Sequence, residues 1–301
     1  MKQHIALVGP GRVGCAITKS LYRAGYPISA VIGRDRHKAI SACEFIGCST
    51  ELASVELTNI PATEIILLAV PDDQIVISAQ RLQGMNELPE STTLIHFSGL
   101  YPADIMRLTG TAIRLLSLHP LLPFADRQSA FDSLEHCPCA LEGNASALAL
   151  GEELIRAIGG QSFLLDGEKK ALYHSSACIA SNFLVTLIAW ARDLLINCGI
   201  KSDQAIPLLM PLIQASIENI KTYGPEQGLT GPIVRGDVET VSKHIEALRK
   251  TSVNQRDTYL KLGELTLALA ENSGRLNAEL TQKLQTILSQ EKPDQVTDNI
   301  S

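Results

Sequence analysis

Apolar and polar positions along this chain follow two rhythms that change over near residue 168. In the first part, short apolar runs alternate with helical patterns. Residues 5–8 run straight into glycine, and Val13, Ile17 and Leu21 then recur on one helical stripe. Further apolar runs fall at 28–32, 65–70, 93–97 and 113–118, ended in turn by Gly33, Pro71, Ser98-Gly99 and His119-Pro120. Continuous runs of this length are the pattern of strands buried on both faces of a parallel sheet. A helix over 145–158 and a short strand over 161–165 close the series. The alternation predicts an N-terminal doubly wound parallel α/β domain, in which ligands bind at the carboxyl ends of the strands.

Beyond Glu168 the period-2 signal is lost. Helical periodicity runs over 173–197, 204–223, 238–251, 253–272 and 275–289, with Asp237 and Thr240 offering a cap and Ser273-Gly274 a stop. The reading is therefore a first domain over 1–167 and an all-α C-terminal domain over 168–291. Residues 292–301 lack apolar periodicity and read as a disordered tail. The many Leu, Ile and Ala positions between 172 and 215 predict helices that bury apolar faces against a second subunit, giving a homodimer.

The first strand-to-helix junction carries G-P-G-R-V-G, a G-x-G-x-x-G spacing between an apolar run and a helical stripe. Gly9 permits a tight turn, Gly11 lets backbone approach a pyrophosphate, and Gly14 lets the helix pack closely on the strand. Phosphates at the helix N-terminus meet free N–H groups and the positive end of the helix dipole, with Arg12 and Val13 in the first turn. In the form of this motif that prefers NAD, an Asp or Glu at the end of the second strand binds the adenosine ribose. Here that position is Arg34, after Gly33. A guanidinium pairs with a 2′-phosphate, and Gly33 clears space for it, so NADP (as NADPH) is the expected cofactor. Asp35 stands one place late and can also face the ribose. A solvated loop is the plain alternative for Arg34 and Arg36.

With 301 residues the chain is long enough for two cores, and 45% hydrophobic with 19% charged residues is ordinary for a soluble globular protein. The net charge of −6 argues against general affinity for nucleic acid. No secretory signal is expected at the N-terminus, and the apolar run at 183–191 is too short to span a bilayer, so a cytoplasmic protein without membrane contact is expected. The seven cysteines are odd in number and scattered, which suits core residues in a reducing compartment. Cys137 and Cys139 lack a second pair at ligand spacing, and no metal is expected.

Candidate chemistry gathers at the strand tips. Val70-Pro71 and Ser98 end the third and fourth apolar runs, facing the same crevice as the glycine loop, and His119 ends the fifth. An imidazole there can donate a proton or hold a carboxylate; its plain alternative is a turn-bound histidine. His174, Cys178, Ser181 and Asn182 fall within about 100° on a helical wheel and can face cofactor and substrate, or serve as a structural network. Arg235, in L-T-G-P-I-V-R-G-D, is available for an acidic substrate or an ion pair.

These motifs, with L-A-V-P-D at 68–72, S-L-H-P-L-L-P-F at 117–124 and Y-H-S-S-A-C-I-A-S-N-F-L at 173–184, resemble the Rossmann-like NADP oxidoreductases with a helical C-terminal domain of unknown function. Relatives in the 6-phosphogluconate dehydrogenase-like superfamily are β-hydroxyacid dehydrogenases, ketopantoate reductases, pyrroline-5-carboxylate reductases and prephenate dehydrogenases. The resemblance implies hydride transfer from a nicotinamide to a small acidic substrate. Hydroxyacid dehydrogenases and ketopantoate reductases carry a lysine four residues before an asparagine on the first interdomain helix. If Asn182 takes the asparagine role, Cys178 stands at the lysine position, which leaves His119 or His174 to supply the proton. Asn182 is then catalytic with them, and Ser181 and Arg235 bind substrate. A 2-oxo acid, ketopantoate first, is the expected substrate. Cyclic imines come next, and a non-catalytic NADP-binding regulator is the alternative from another class.

Overall fold

The computed structural model describes residues 2–84, 88–108 and 112–289. Its strands are β1 (Ile5–Val8), β2 (Ile28–Ile32), β3 (Ala53–Ser54), β4 (Ile65–Leu68), β5 (Thr93–His96), β6 (Arg114–Pro120), β7 (Pro138–Gly143) and β8 (Gln161–Leu164). They form one sheet in the order β3-β2-β1-β4-β5-β6-β7-β8. Every neighbouring pair is parallel except β6 with β7. Helices α1 (Arg12–Arg23), α2 (Arg36–Ile46), α3 (Ile75–Gln83), α4 (Arg127–Asp132) and α5 (Ala145–Ala157) pack on this sheet. Period-2 geometry divides the strands between two cores. Ile5 and Leu7 of β1 join Ile17 and Leu21 of α1 and Leu154 of α5, whereas Ala6 and Val8 join Ile75, Ala79 and Leu82 of α3. Strands covered on both sides need apolar residues at every position, which is why they read as unbroken runs.

The doubly wound α/β domain is as the pattern predicts, with two added strands, the short edge strand β3 and β7. Residues 138–143, in what reads as a C-P-C turn, form the antiparallel strand β7, with Pro138 at its first position, where a strand tolerates proline. This strand pairs with β6 directly opposite His119.

The helical part follows as α6 (Lys170–Cys178), a π-helical turn over Ile179–Phe183, α7 (Leu184–Asn197), α8 (Ser202–Gly228), α9 (Val238–Arg249), α10 (Val253–Asn272) and α11 (Ala278–Ser289). The chain divides into two compact units at Leu187, beyond the expected Gly167, because α6 sends side chains into the sheet unit. In the second unit, Val241, Ile245, Leu260, Leu267, Leu284 and Leu288 form the core, and Asp237 caps α9 through the Thr240 N–H. The stretch Gly167–Asn197 is long and apolar enough, by length and composition, to cross a membrane, which the run at 183–191 alone is not. The tail at 292–301 lies outside the described residues.

A Cβ built on Gly14 would lie 2.6 Å from the Ala69 Cβ and 2.9 Å from the Gly9 carbonyl oxygen, while nothing lies within 4 Å of one on Gly11. Gly14→Ala is therefore expected to cost about 1–3 kcal/mol of stability by overpacking. Gly11→Ala is expected to cost less than about 1 kcal/mol, the ordinary penalty of a poorer cap. Urea denaturation of the two variants checks this order.

Candidate active site at the strand tips

The glycine loop is built by close approach. Gly9 has φ +87° and lies so near β4 that a Cβ would sit 2.5 Å from the Ala69 carbonyl oxygen and 2.9 Å from Val70 Cγ1. Val70 is thereby pressed against the loop, and Pro71 beside it opens a turn into Asp72. Gly11 faces open space at the start of α1, a helix with neither a side-chain cap nor an acidic residue in its first turn. Those N–H groups and the open Gly11 fit a pyrophosphate. Val13 is half-buried on the core. The exposed Arg12 donates to the Phe124 carbonyl at 3.2 Å. In return Arg127, which the sequence reading missed, donates to the Pro10 carbonyl at 2.9 Å and to the Ser41 hydroxyl at 3.4 Å. Nothing in the sequence links residue 127 to the loop, since the contact is made across 117 positions.

At the tip of β2, Arg34, Arg36, His37 and Lys38 are all exposed. Asp35 is engaged elsewhere: its carboxylate accepts from the His37 and Lys38 N–H groups as the N-cap of α2. Gly33 is buried, and a Cβ there would lie 3.2 Å from Pro10 Cγ, so its small size also admits the glycine loop.

The Ser98 hydroxyl donates to Asp72 Oδ2 at 3.0 Å and accepts from the Leu100 and Tyr101 N–H groups, each at 3.1 Å. It is buried and shapes the loop after β5. Next to it, Gly99 packs against both candidate histidines. A Cβ there would collide with His174 and lie 2.8 Å from His119 Nε2. His119 Nδ1 is 2.8 Å from the Tyr173 hydroxyl, and its ring stands edge-on to Tyr173 and His174, with centroids 5.5 and 6.0 Å away.

Beneath these rings lies Lys170, 1% exposed and also missed from the sequence. Its ammonium donates to the Ser98 carbonyl at 3.0 Å and to the Ser117 hydroxyl at 2.8 Å. Burial pushes it down to about 8, against the Glu142 and Asp72 carboxylates, which favour its charge. Burial, the Lys170 charge and His174 push His119 down to about 4. His96, whose Nδ1 accepts the Ser98 N–H, falls to about 3, again chiefly through burial and then Lys170. A signal for Lys170 did exist: Lys170, Tyr173 and His174 stand at i, i+3 and i+4, one face of α6.

The wheel that joined His174, Cys178, Ser181 and Asn182 holds for its first half. His174 Nδ1 and Cys178 Sγ are 3.9 Å apart. Ser181 and Asn182 fall in the π-helical turn, where α-helical spacing no longer applies; Ser181 is half-buried and Asn182 exposed. Arg235 is exposed in the second unit, on the loop before α9.

Residues 1–120 match the Rossmann-like domain family, and residues 137–266 match a domain of unknown function, DUF2520. The DUF2520 match opens just ahead of β7, so it takes in the last two strands of the sheet, α5 and α6 with Lys170, Tyr173 and His174. No curated protein matches the chain. Among solved structures, protein TM1727 of Thermotoga maritima is 26% identical, with a TM-score of 0.72 over 90% of this chain and 99% of its own. BF3122 of Bacteroides fragilis, described as a candidate NADP oxidoreductase, is 20% identical, with a TM-score of 0.71 over 89% and 98%. A pyrroline-5-carboxylate reductase of Coxiella burnetii shares the fold at 18% identity and a TM-score of 0.57, over 93% and 99%.

The depressed histidines fix the sign of an acid effect on the stability of this chain. Between their ordinary value of 6.5 and about 4, the unfolded chain binds protons that His119 and His96 refuse in the fold. Stability present above pH 6.5 is therefore lost on acidification, on the order of 3 kcal/mol per histidine from the size of the shifts. Urea denaturation at pH 7 and pH 4.5 is expected to show this loss, with His119→Gln losing less. A flat profile would contradict it.

Proposed function

We propose that the protein is an NADPH-dependent oxidoreductase that reduces a small carboxylate-bearing substrate, acting as a cytoplasmic homodimer. The observation that carries this reading is the convergence of His119 and His174 on Gly99, with Tyr173 bonded to His119. This cluster lies at the carboxyl edge of the same parallel sheet that carries the glycine loop. The names of structural neighbours support the chemistry: the Bacteroides fragilis protein above, and a pyrroline carboxylate reductase of Plasmodium falciparum with NADP bound. Gly9, Gly11, Gly14 and the first turn of α1 would hold the pyrophosphate, beside Arg12 and Arg127, and Arg34 would take the 2′-phosphate. When bound, the nicotinamide supplies the hydride.

The residues of the chain then bind the substrate and manage the proton. His119 is neutral near pH 7, with Tyr173 at Nδ1, so it meets substrate as a hydrogen-bonding imidazole rather than a cation. A 2-oxo acid remains the first substrate class, with ketopantoate its first member to assay, because a compact acid needs few contacts. Cyclic imines of the pyrroline-5-carboxylate type are a second reading, favoured by the neutrality of His119. An imine that enters protonated, as the iminium, carries its proton in, whereas a ketone must take one from the site. Oxidation of NADPH with a panel of both classes tests the proposal. Tight NADPH binding with no turnover of any member would leave the non-catalytic regulator instead.

With the true substrate, His119→Ala is expected to lower kcat by about 10²–10⁴-fold, the usual worth of a group that handles the proton, and to leave NADPH affinity nearly unchanged. His174→Ala is expected mainly to raise KM. Full turnover by His119→Ala would reverse or remove these roles. For the cofactor, a charge-assisted bond from Arg34 implies a preference for NADPH over NADH of about ten- to hundredfold, most of it lost in Arg34→Ala. Equal affinities by calorimetry in the parent protein would count against Arg34.

The homodimer reading is supported by what the helices leave uncovered. Leu172, Ile179, Phe183 and Val185 are more than half exposed, as are Leu208 and Leu212 on α8. Such apolar area on a single protein calls for a partner surface. A membrane suits it less well, because the N-terminal end of the stretch is fastened to the sheet unit through the buried Lys170. Light scattering is expected to give twice the 32.5 kDa chain mass at micromolar concentration, and a mass of 32.5 kDa would contradict the dimer.

A further inference from the structure

We propose that Lys170 is a positioning residue of the strand-tip site: its ammonium ties α6 to the ends of β5 and β6 and sets a buried positive charge in the cluster that holds His119. The argument begins with burial. A lysine 1% exposed is rare unless its charge is partnered, and here both named partners, the Ser98 carbonyl and the Ser117 hydroxyl, are uncharged. Each partner adjoins a ring of the site. Ser117 and His119 are two apart on β6 and so share one face of the strand, with Cα atoms about 7 Å apart. Ser98 precedes Gly99, against which His119 and His174 both pack. Tyr173 and His174 rise from the same face of α6 as Lys170 itself.

The charge balance around the pair is one-sided. Asp72, at the tip of β4, bonds to Ser98, and Glu142, on β7, accepts the Ala103 N–H. Both favour the ammonium, and neither is hydrogen-bonded to His119. Other titratable groups about the cluster are His96 on β5, His174, Tyr173 and Cys178 on α6, and Cys137 and Cys139 at β7. Tyr173 is pushed up to about 12 by burial and stays protonated beside His119 Nδ1. Among the described residues no carboxylate is hydrogen-bonded to His119 to offset a second positive charge beside Lys170, and a dry site makes that charge costly.

The inference rests on reading this cluster as the reaction site. Its test is run without cofactor or substrate, so its failure is distinct from that of a reductase assay. Histidine nitrogens are labelled and the His119 resonances, assigned by their loss in His119→Gln, are followed against pH. In the parent protein His119 is expected to stay neutral well below pH 6 and to show a second, smaller inflection near pH 8, where Lys170 loses its proton. In Lys170→Met the protonation midpoint of His119 is expected to rise by at least one pH unit, a tenfold gain in proton affinity, and the upper inflection to vanish. Lys170→Arg is expected to keep the midpoint low and also to lose the inflection. An unchanged midpoint in folded Lys170→Met overturns the proposal. Should that variant fail to fold, the parent titration decides: an inflection near pH 8 supports it and its absence overturns it.

Discussion

The carboxyl edge of the sheet is assembled at distances that no Cβ would survive. Gly9 is pressed on the Ala69 carbonyl, Gly14 on the Ala69 side chain and Gly99 on two imidazole rings. The β1–α1 junction meets the turn after β4, and the loop after β5 meets two imidazole rings, only because glycine presents bare backbone at each contact. The glycine loop with the turn after β4 is thus one packing problem, and the loop after β5 with the histidine cluster is another. A side chain at any of the three positions would push apart groups that chemistry needs side by side.

Around the histidine cluster charge is distributed sparingly. Lys170 brings one ammonium into a region where His96 and His119 are held neutral, and the two nearby carboxylates are spent on Ser98 and on the Ala103 N–H. Burial disfavours every uncompensated ion and is the first cause of both shifts, with the Lys170 charge second. The exposed charges behave differently. Arg34, Arg36, His37 and Lys38 lie in water at the β2 tip, where their attraction is local and screened by salt. The first group determines what the site can do, and the second what it can attract.

Much of this was legible before any coordinate. Unbroken apolar runs marked the strands because both faces of the sheet are covered, and the glycine spacing was informative because strand and helix flanked it. His119 was legible because a strand end followed by proline leaves little freedom to the side chain. What stayed hidden depended on contacts between distant positions. Arg127 meets Pro10 across the fold, and Lys170 sits in a charged run, G-E-K-K, that reads as solvated. Strand β7 was masked by its own proline and cysteines, since its pairing with β6 is set by tertiary context rather than by residue preference. The reading of Gly33 as a place for small size did not include its contact with Pro10, another meeting of distant positions.

The π-helical turn at Ile179–Phe183 has a consequence for the long helix it interrupts. One residue more than an α-helical turn requires rotates everything beyond it by about 100° relative to a straight continuation. The stripe that begins with Lys170, Tyr173 and His174 is therefore not the stripe that α7 continues. A single rod is divided into two segments with independent facing, the first committed to the strand tips and the second carrying Val185 and Leu187 toward solvent. Removing one residue there would heal the helix and, by rotation alone, turn its apolar surface to a new quarter. The turn thus acts as a phase shift written into the chain, and it lets the surfaces on either side of it change independently.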